Sequence, residues 1–262
     1  MRTRWIAFAA CLSLSPTAAL AGAWTLPAGA GQFLVLGTAS HSVRGFDGDR
    51  SLQSIPHYDK YELQALIEYG ATDWLTLMAL PSLQRISIGA PFDTSRSGLG
   101  FTDLGARVRL LQGQDWVFSA QTLVRIPGTF STTNLAAIGN NDLEVDVRAL
   151  FGYAFKLADR SAFIDLQAAQ RFRGNGLPSE VRLDGAFGVR LAPRWLVLLQ
   201  SLNTISEGAT ALIPSYAYGK MQASIVYDIS TQWSLQVGAF STVWGRNALQ
   251  ENGGLVGAWY RF

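Results

Sequence analysis

Cysteine is almost missing from this sequence of 262 residues, where a single one stands at Cys11. Without a second thiol, the chain can build neither an internal disulfide framework nor a multi-cysteine metal site. Histidine is nearly as scarce, with only His41 and His57. Charge is thin too: Asp, Glu, Lys and Arg make up 15% of the chain, against roughly 25% in an average soluble domain. Beyond Trp24 no apolar run approaches the ~18 to 20 residues that a membrane-crossing helix requires, which excludes a polytopic helical protein. What is plentiful is dispersed apolar and aromatic character, 48% and 11% of the residues, averaging to a mean hydropathy of only +0.15. Intrinsic disorder is excluded as well, because it calls for few aromatics and a large net charge, and the net charge here is +2.

The amino terminus reads as a secretory signal peptide. Arg2 and Arg4 precede an apolar stretch from Trp5 to Leu14, then Ser15-Pro16, then small residues ending in Ala19-Leu20-Ala21, the pattern of an A-x-A cleavage site. The expected boundaries are a signal over 1–21, with cleavage after 23 as the alternative, and one domain over 22–262. An uncleaved anchor is disfavoured by Pro16, and a lipoprotein modified at Cys11 by the bulky Phe8. Of the 21 basic residues, two fall in the signal, which leaves 19 against 19 acidic ones and no cysteine in the remainder.

Past Gly22 the hydrophobic pattern has a period of two, the signature of strands with two different faces. Asp103, Gly105, Arg107 and Arg109 alternate with Leu104, Ala106, Val108 and Leu110. Asp142, Glu144, Asp146 and Arg148 alternate with Leu143, Val145, Val147 and Ala149. Val181 to Leu191 and Tyr218 to Ile229 repeat the division.

A soluble sandwich would also alternate, so three further features decide the solvent. Connections alternate between short turns, such as Gln112 to Asp115 and Ser230-Thr231-Gln232, and longer Gly/Ser/Asn-rich loops, such as Gly45 to His57, Gly89 to Gly100, Gly128 to Asn141 and Gly174 to Ser179. That asymmetry belongs to outer-membrane barrels. Four of the five short turns are followed at once by Trp74, Trp116, Trp195 and Trp233, with Phe163 in the corresponding place of the fifth, a ring of aromatics at one strand end, as an interfacial girdle requires. Finally, the chain stops at Trp259-Tyr260-Arg261-Phe262, with Tyr260 and Phe262 on one face. This ending resembles the carboxy-terminal signal by which outer-membrane assembly machinery recognises its clients.

The expected fold class is therefore all-β: a transmembrane antiparallel up-and-down β-barrel of about twelve strands, both termini periplasmic, in the outer membrane of a Gram-negative bacterium. The expected segments are Gly31 to Val43, Tyr58 to Tyr69, Trp74 to Ile88, Thr102 to Leu111, Trp116 to Ile126, Asp142 to Phe155, Ser161 to Arg173, Glu180 to Leu191, Trp195 to Thr204, Tyr218 to Ile229, Trp233 to Trp244 and Gly254 to Phe262. If the apolar face meets lipid, the other lines the lumen with Asp103, Arg107, Arg109, Arg125, Asp142, Glu144, Asp146, Arg148, Asp165, Arg171, Arg173, Arg182, Asp184 and Arg190. Clustered arginines favour anions, and the interleaved carboxylates oppose that preference. Charge complementarity suggests Asp103 across from Arg125, and, over the Gly174 to Ser179 loop, Arg171 across from Asp184 and Asp165 from Arg190. The latter register also sets Arg173 beside Arg182 unless Asp142 or Glu144 reaches in.

Catalytic readings are weak. His41 and His57 lie near the expected outer mouth with no ligand cluster evident beside them, so no metal or cofactor is expected. Asp47-Gly48-Asp49 lacks the remaining oxygens of a calcium loop. A hydrolase would need a Ser activated by His, and Ser40 and Ser42, adjacent to His41, point to the opposite face. No phosphate-binding glycine loop opens a helix, and no nucleic-acid patch is present.

The stretch Gly98-Leu99-Gly100-Phe101-Thr102-Asp103-Leu104-Gly105-Ala106-Arg107-Val108-Arg109-Leu110-Leu111 resembles a strand of proteobacterial outer-membrane proteins assigned to the meta-pathway of phenol degradation. Similar too are Gly139-Asn140-Asn141-Asp142 through Phe151-Gly152-Tyr153-Ala154-Phe155, and Ala23-Trp24-Thr25-Leu26-Pro27 followed by Gly31-Gln32. The resemblance implies a transporter-like barrel for aromatic or other small hydrophobic compounds, without catalytic residues. Three readings remain at this point: a passive channel or transporter, a closed barrel acting as a structural or surface-recognition protein, and an outer-membrane hydrolase. The expected partners are the lipid bilayer, the assembly machinery and a small solute.

Overall fold

The computed structural model of the chain describes residues 22–129, 136, 142–174, 176–211 and 213–262. The expected signal over 1–21 and most of the Gly128 to Asn141 loop lie outside the described residues. The strands are β1 (Gly31–Phe46), β2 (Leu52–Thr72), β3 (Leu75–Leu80), β4 (Ser82–Ile88), β5 (Thr94–Leu99), β6 (Thr102–Gln112), β7 (Trp116–Ile126) and β8 (Glu144–Leu157). They continue with β9 (Arg160–Phe172), β10 (Glu180–Ala192), β11 (Trp195–Ser206), β12 (Ala217–Asp228), β13 (Trp233–Arg246), β14 (Ala248–Leu249) and β15 (Asn252–Arg261).

These segments make twelve staves among the described residues, because three staves are interrupted. β3 and β4 pair with successive parts of β2 and are separated only by Pro81, which has no amide hydrogen to donate across the ladder. Its carbonyl still accepts from Ala65 N at 3.0 Å. β5 and β6 pair with β4 and β3 on either side of Gly100-Phe101, and β14 and β15 both pair with β1. Every stave runs antiparallel to the next, and β1 bonds to β2 on one side and to β15 on the other. The sheet is thus closed on itself.

The alternating segments coincide with the staves, and the differences have a physical reason. β2 extends back to Leu52, and β5 adds a paired strand over a stretch read as loop. Their sequences, Leu52-Gln53-Ser54 and Thr94-Ser95-Arg96-Ser97, have no sustained apolar face, since a ladder that projects beyond the apolar belt needs none. Asp103 does pair with Arg125. The register over the 174–179 loop is corrected: Arg171 pairs with Glu180, Asp184 with Gln167 and Asp165 with Ala186. This is four residues from the expected pairing, so every side chain keeps its face. It replaces Asp184 by Glu180 as the carboxylate opposite Arg171 and removes the direct Arg173–Arg182 opposition, a like-charge pair that would be unfavourable.

Side chains divide by parity. The outward set carries the exposed apolar residues, among them Leu104, Val147, Phe151, Leu166, Leu183, Leu199, Ile225, Val237 and Val256. The inward set carries most of the buried polar and charged residues, including Glu68, Asp103, Arg107, Glu144, Asp146, Asp165 and Arg171. An apolar exterior around a polar interior is the inverse of a water-soluble fold and matches a lipid-embedded barrel.

Candidate functional site

The lumen is the candidate site, and it holds a charge ladder, an inserted chain segment and a cavity. The ladder lies on the wall from β6 to β10. Arg125 makes two bonds to Asp103, at 2.8 and 2.9 Å, the two-pronged geometry that suits a guanidinium and a carboxylate. Glu144 accepts from Arg173 at 2.8 Å and lies 3.9 Å from Arg171. Arg171 also reaches Asp146 at 3.2 Å and Glu180 at 3.5 Å. Arg148 bridges Asp146 at 3.4 Å and Asp184 at 2.7 Å. Nearer the long-loop end, Arg173 donates to Glu180 and to the Tyr216 hydroxyl. Removing one partner of such a buried network leaves a stranded charge, at a cost of about 3–5 kcal/mol.

Of the charges assigned to the lumen from sequence, Asp103, Arg107, Glu144, Asp146, Arg148, Asp165 and Arg171 are buried. Arg109, Arg125, Asp142, Arg173, Arg182, Asp184 and Arg190 are half-buried. Arg190 of β10 binds Asp228 of β12, past the intervening β11, at 2.7 Å. Arg109 sits at the short-turn end, where its amide donates to Trp74 O. Arg107 stands apart from the ladder: it is 1% exposed and bonds Glu68 at 2.7 Å and Gln121 at 3.2 Å. Glu180 and Tyr216 escaped the sequence reading, although Glu180 shares its face with Arg182 by parity alone.

The segment Gly22 to Pro27 was read as the start of the mature chain, with no place assigned to it. It runs inside the barrel. Ala23 is wholly buried, its N–H donates to Asp165 Oδ2 at 2.6 Å, and its carbonyl accepts from Ser119 Oγ at 2.5 Å. Arg107 Nη1 donates to Trp24 O at 2.9 Å. Leu26 N donates to Thr76 Oγ1 at 2.9 Å, and Thr25 Oγ1 to Asp73 O at 2.7 Å. The segment therefore crosses the lumen from β2 and β3 to β7 and β9 near the short-turn end. Phe163, expected with the girdle, turns inward instead, and the Trp24 ring meets it edge-on with centroids 6.1 Å apart, a favoured aromatic geometry. Opposite it, Gly152 leaves the indole its room: a Cβ there would lie 2.6 Å from a ring carbon.

Against Trp24 and Phe163 lies a cavity of about 260 Å³. Its lining is of two kinds. Leu34, Leu36, Leu66 and Leu202 contribute apolar surface, while Gln167, Gln200, Gln222, Gln236, Asp165 and Asp184 contribute polar groups. Inward-facing leucines on β1, β2 and β11 are hard to recognise in a sequence such as Trp195-Leu196-Val197-Leu198-Leu199, where both faces are apolar.

On the outside, Trp74, Trp116, Trp195 and Trp233 are exposed beside the short turns. Trp116 stacks on Phe151, Trp195 tilts against Tyr227, and Trp233 against Tyr260. Phe262 stacks on Phe33 and Tyr260. Asp47 is committed within its loop, accepting from Asp49 N, Ser51 N and Gln53 Nε2, and these bonds hold its carboxyl below the usual carboxylate range.

No family model matches the sequence, and neither does any curated protein sequence. The fold does find counterparts. An outer membrane channel from Pseudomonas putida F1 superposes with a TM-score of 0.77 at 16% identity, covering 92% of this chain and 98% of that one. The chain carries the outer-membrane barrel fold. The NanC porin gives a TM-score of 0.51 at 9% identity over 86% of this chain and 98% of its own. The β domain of the Bordetella autotransporter BrkA gives 0.52 at 11% identity over 89% of this chain and all of its own. The apolar belt seats this barrel in a lipid bilayer, which for this architecture is the bacterial outer membrane.

Proposed function

We propose that the chain is an outer-membrane channel for the passive passage of small aromatic or otherwise hydrophobic solutes, with residues 22–27 as a stopper in its lumen. The observation that carries this reading is the cavity of about 260 Å³ against Trp24, part apolar and part amide-lined. Such a lining suits a small solute with an apolar body and a few polar groups. The ladder of paired charges holds the wall rigid and presents both signs, so it supplies little net field to select ions. The resemblance to the meta-pathway phenol degradation proteins agrees with this class of solute.

The rest of the reading rests on the sequence pattern and on how such barrels are oriented. The short-turn end faces the periplasm, both termini lie there, and residues 1–21 form a cleaved signal. Cleavage after Ala21 keeps Ala23 and its bonds to Asp165 and Ser119, whereas cleavage after Ala23 discards them. Trp74, Trp116, Trp195 and Trp233 form the periplasmic girdle, and Tyr260 and Phe262 the contact for the assembly machinery. Catalysis has no support at the one place considered: Ser40 and Ser42 are buried on the inner face, while His41 is exposed on the outer one.

A closed structural barrel is the second reading, favoured by the density of buried ion pairs. Planar-bilayer recordings decide between them. The channel reading expects small, intermittent conductance from the mature protein and larger, sustained steps from a chain that starts at Ala28. Silence from both, with no uptake of small phenols into proteoliposomes, establishes the closed barrel.

A further inference from the structure

Both histidines of the chain, distant from the stopper and the cavity, meet at one spot on the outer surface. His41 of β1 pairs directly across from Asp59 of β2. Just beyond, the register shifts between Ser42 and Arg44, so that Val43 faces the three residues 55–57. His57 and Asp59, two residues apart on β2, share the outward face. His41 Nδ1 lies 2.9 Å from one oxygen of Asp59, and His57 Nε2 lies 2.9 Å from the other. The two imidazoles meet edge-on, with centroids 4.4 Å apart. One ligand atom from each of the three residues falls within 4.8 Å of the others.

We propose that His41, His57 and Asp59 form a binding site for a divalent transition-metal ion such as Zn2+. Two imidazole nitrogens and a carboxylate oxygen are the donor set that borderline metals prefer, whereas calcium and magnesium take oxygen alone. Tetrahedral zinc with bonds of ~2.0–2.1 Å places neighbouring ligand atoms about 3.3 Å apart. The His–Asp contacts are already that close, so binding needs only a modest approach of the two rings by side-chain rotation. The histidine side chains are 50% and 51% exposed, so an ion enters from solvent and keeps water in its open positions. The backbone beneath is fixed: Gly89 N donates to His57 O at 2.8 Å. The cluster lies two residue pairs beyond Tyr61 and Arg85 along the ladder, at the long-loop end of the apolar belt.

The test uses the full-length protein without a histidine tag, in detergent micelles, titrated with Zn2+ against a chromophoric chelator. The sequence contains no other imidazole, so the histidines are a specific reporter. Expected is one Zn2+ per chain, weakened at least about tenfold by His41→Ala, by His57→Ala and by Asp59→Asn, with heat-modifiable mobility retained as the sign of folding. Should a variant not fold, the imidazole nitrogen resonances of the wild-type protein still decide: the site requires both histidines to shift with one equivalent of Zn2+. Absence of stoichiometric binding, binding undiminished in the variants, or histidine signals that ignore the metal each overturns the proposal.

Discussion

Asp165→Ala isolates the strongest single tie between the stopper and the wall. In the structure, the Asp165 carboxylate accepts from Ala23 N and from Gln167 Nε2, each at 2.6 Å. A hydrogen bond to a charged acceptor contributes about 1.5–3 kcal/mol, and each 1.4 kcal/mol is a factor of ten in population. Removing the carboxylate therefore raises the fraction of time that the segment is withdrawn by about ten- to a hundredfold. It does not free the segment altogether, because Arg107 still holds Trp24 O and Ser119 still holds Ala23 O. Single-channel recording is the assay. Open probability should rise in Asp165→Ala with the size of each step unchanged, and Asp165→Asn should lie between it and the wild type, since an amide oxygen still accepts but carries no charge. Equal open probability in all three, alongside large steps from the chain starting at Ala28, refutes the role given to Asp165. If that shortened chain gates no differently either, the stopper itself is refuted.

Gly152→Leu places a side chain where the Trp24 ring lies, and should shift indole fluorescence and raise open probability as Asp165→Ala does. Reversing one charge of the Asp103–Arg125 pair, as in Arg125→Glu, should destabilise the barrel, and the exchange Asp103→Arg with Arg125→Asp should restore part of the loss; thermal unfolding in detergent should give a coupling of about 1–3 kcal/mol. Val237 is 59% exposed on the outward face, so Val237→Arg should lower folding into bilayers by about 2–4 kcal/mol, read from the heat-modifiable fraction. Asp47 has its carboxyl pKa depressed by the bonds from Ser51 and Gln53. Its contribution is therefore present above the ordinary carboxylate pKa and lost as pH falls through the depressed one; amide exchange at Asp49 and Ser51 should quicken only below that range, and at all pH values in Asp47→Ala.

The staves could be read because lipid outside and polar groups inside impose a period of two, which even the shift of register at the 174–179 loop leaves intact. That register could not be read, because parity is blind to a slide of four residues, and the choice rests on Glu180, a residue at the edge of its segment. The stopper was beyond reach for another reason. Ala23 to Pro27 carries no periodic signal, and its places in the wall are marked by absences, such as the missing side chain at Gly152, that only acquire meaning when the ring beside them is known. The histidine cluster depends on the extent and register of β2: His57 was read as loop, and only its place in the strand and the pairing of His41 with Asp59 bring the three side chains onto one face.

β2 is 21 residues long, whereas β9 to β12 have 12 or 13 each. At roughly 3.3 Å per residue, β2 measures roughly 70 Å along its axis, and even with a tilt of about 40° it stands well above a hydrocarbon layer of about 30 Å. With β1 and β4 bonded alongside and β5 bonded to β4, it raises a parapet on one side of the mouth among the described residues. Among the described residues the rim is therefore high over β1, β2, β4 and β5 and low over β9 to β12, so the mouth of the barrel is cut on a slant.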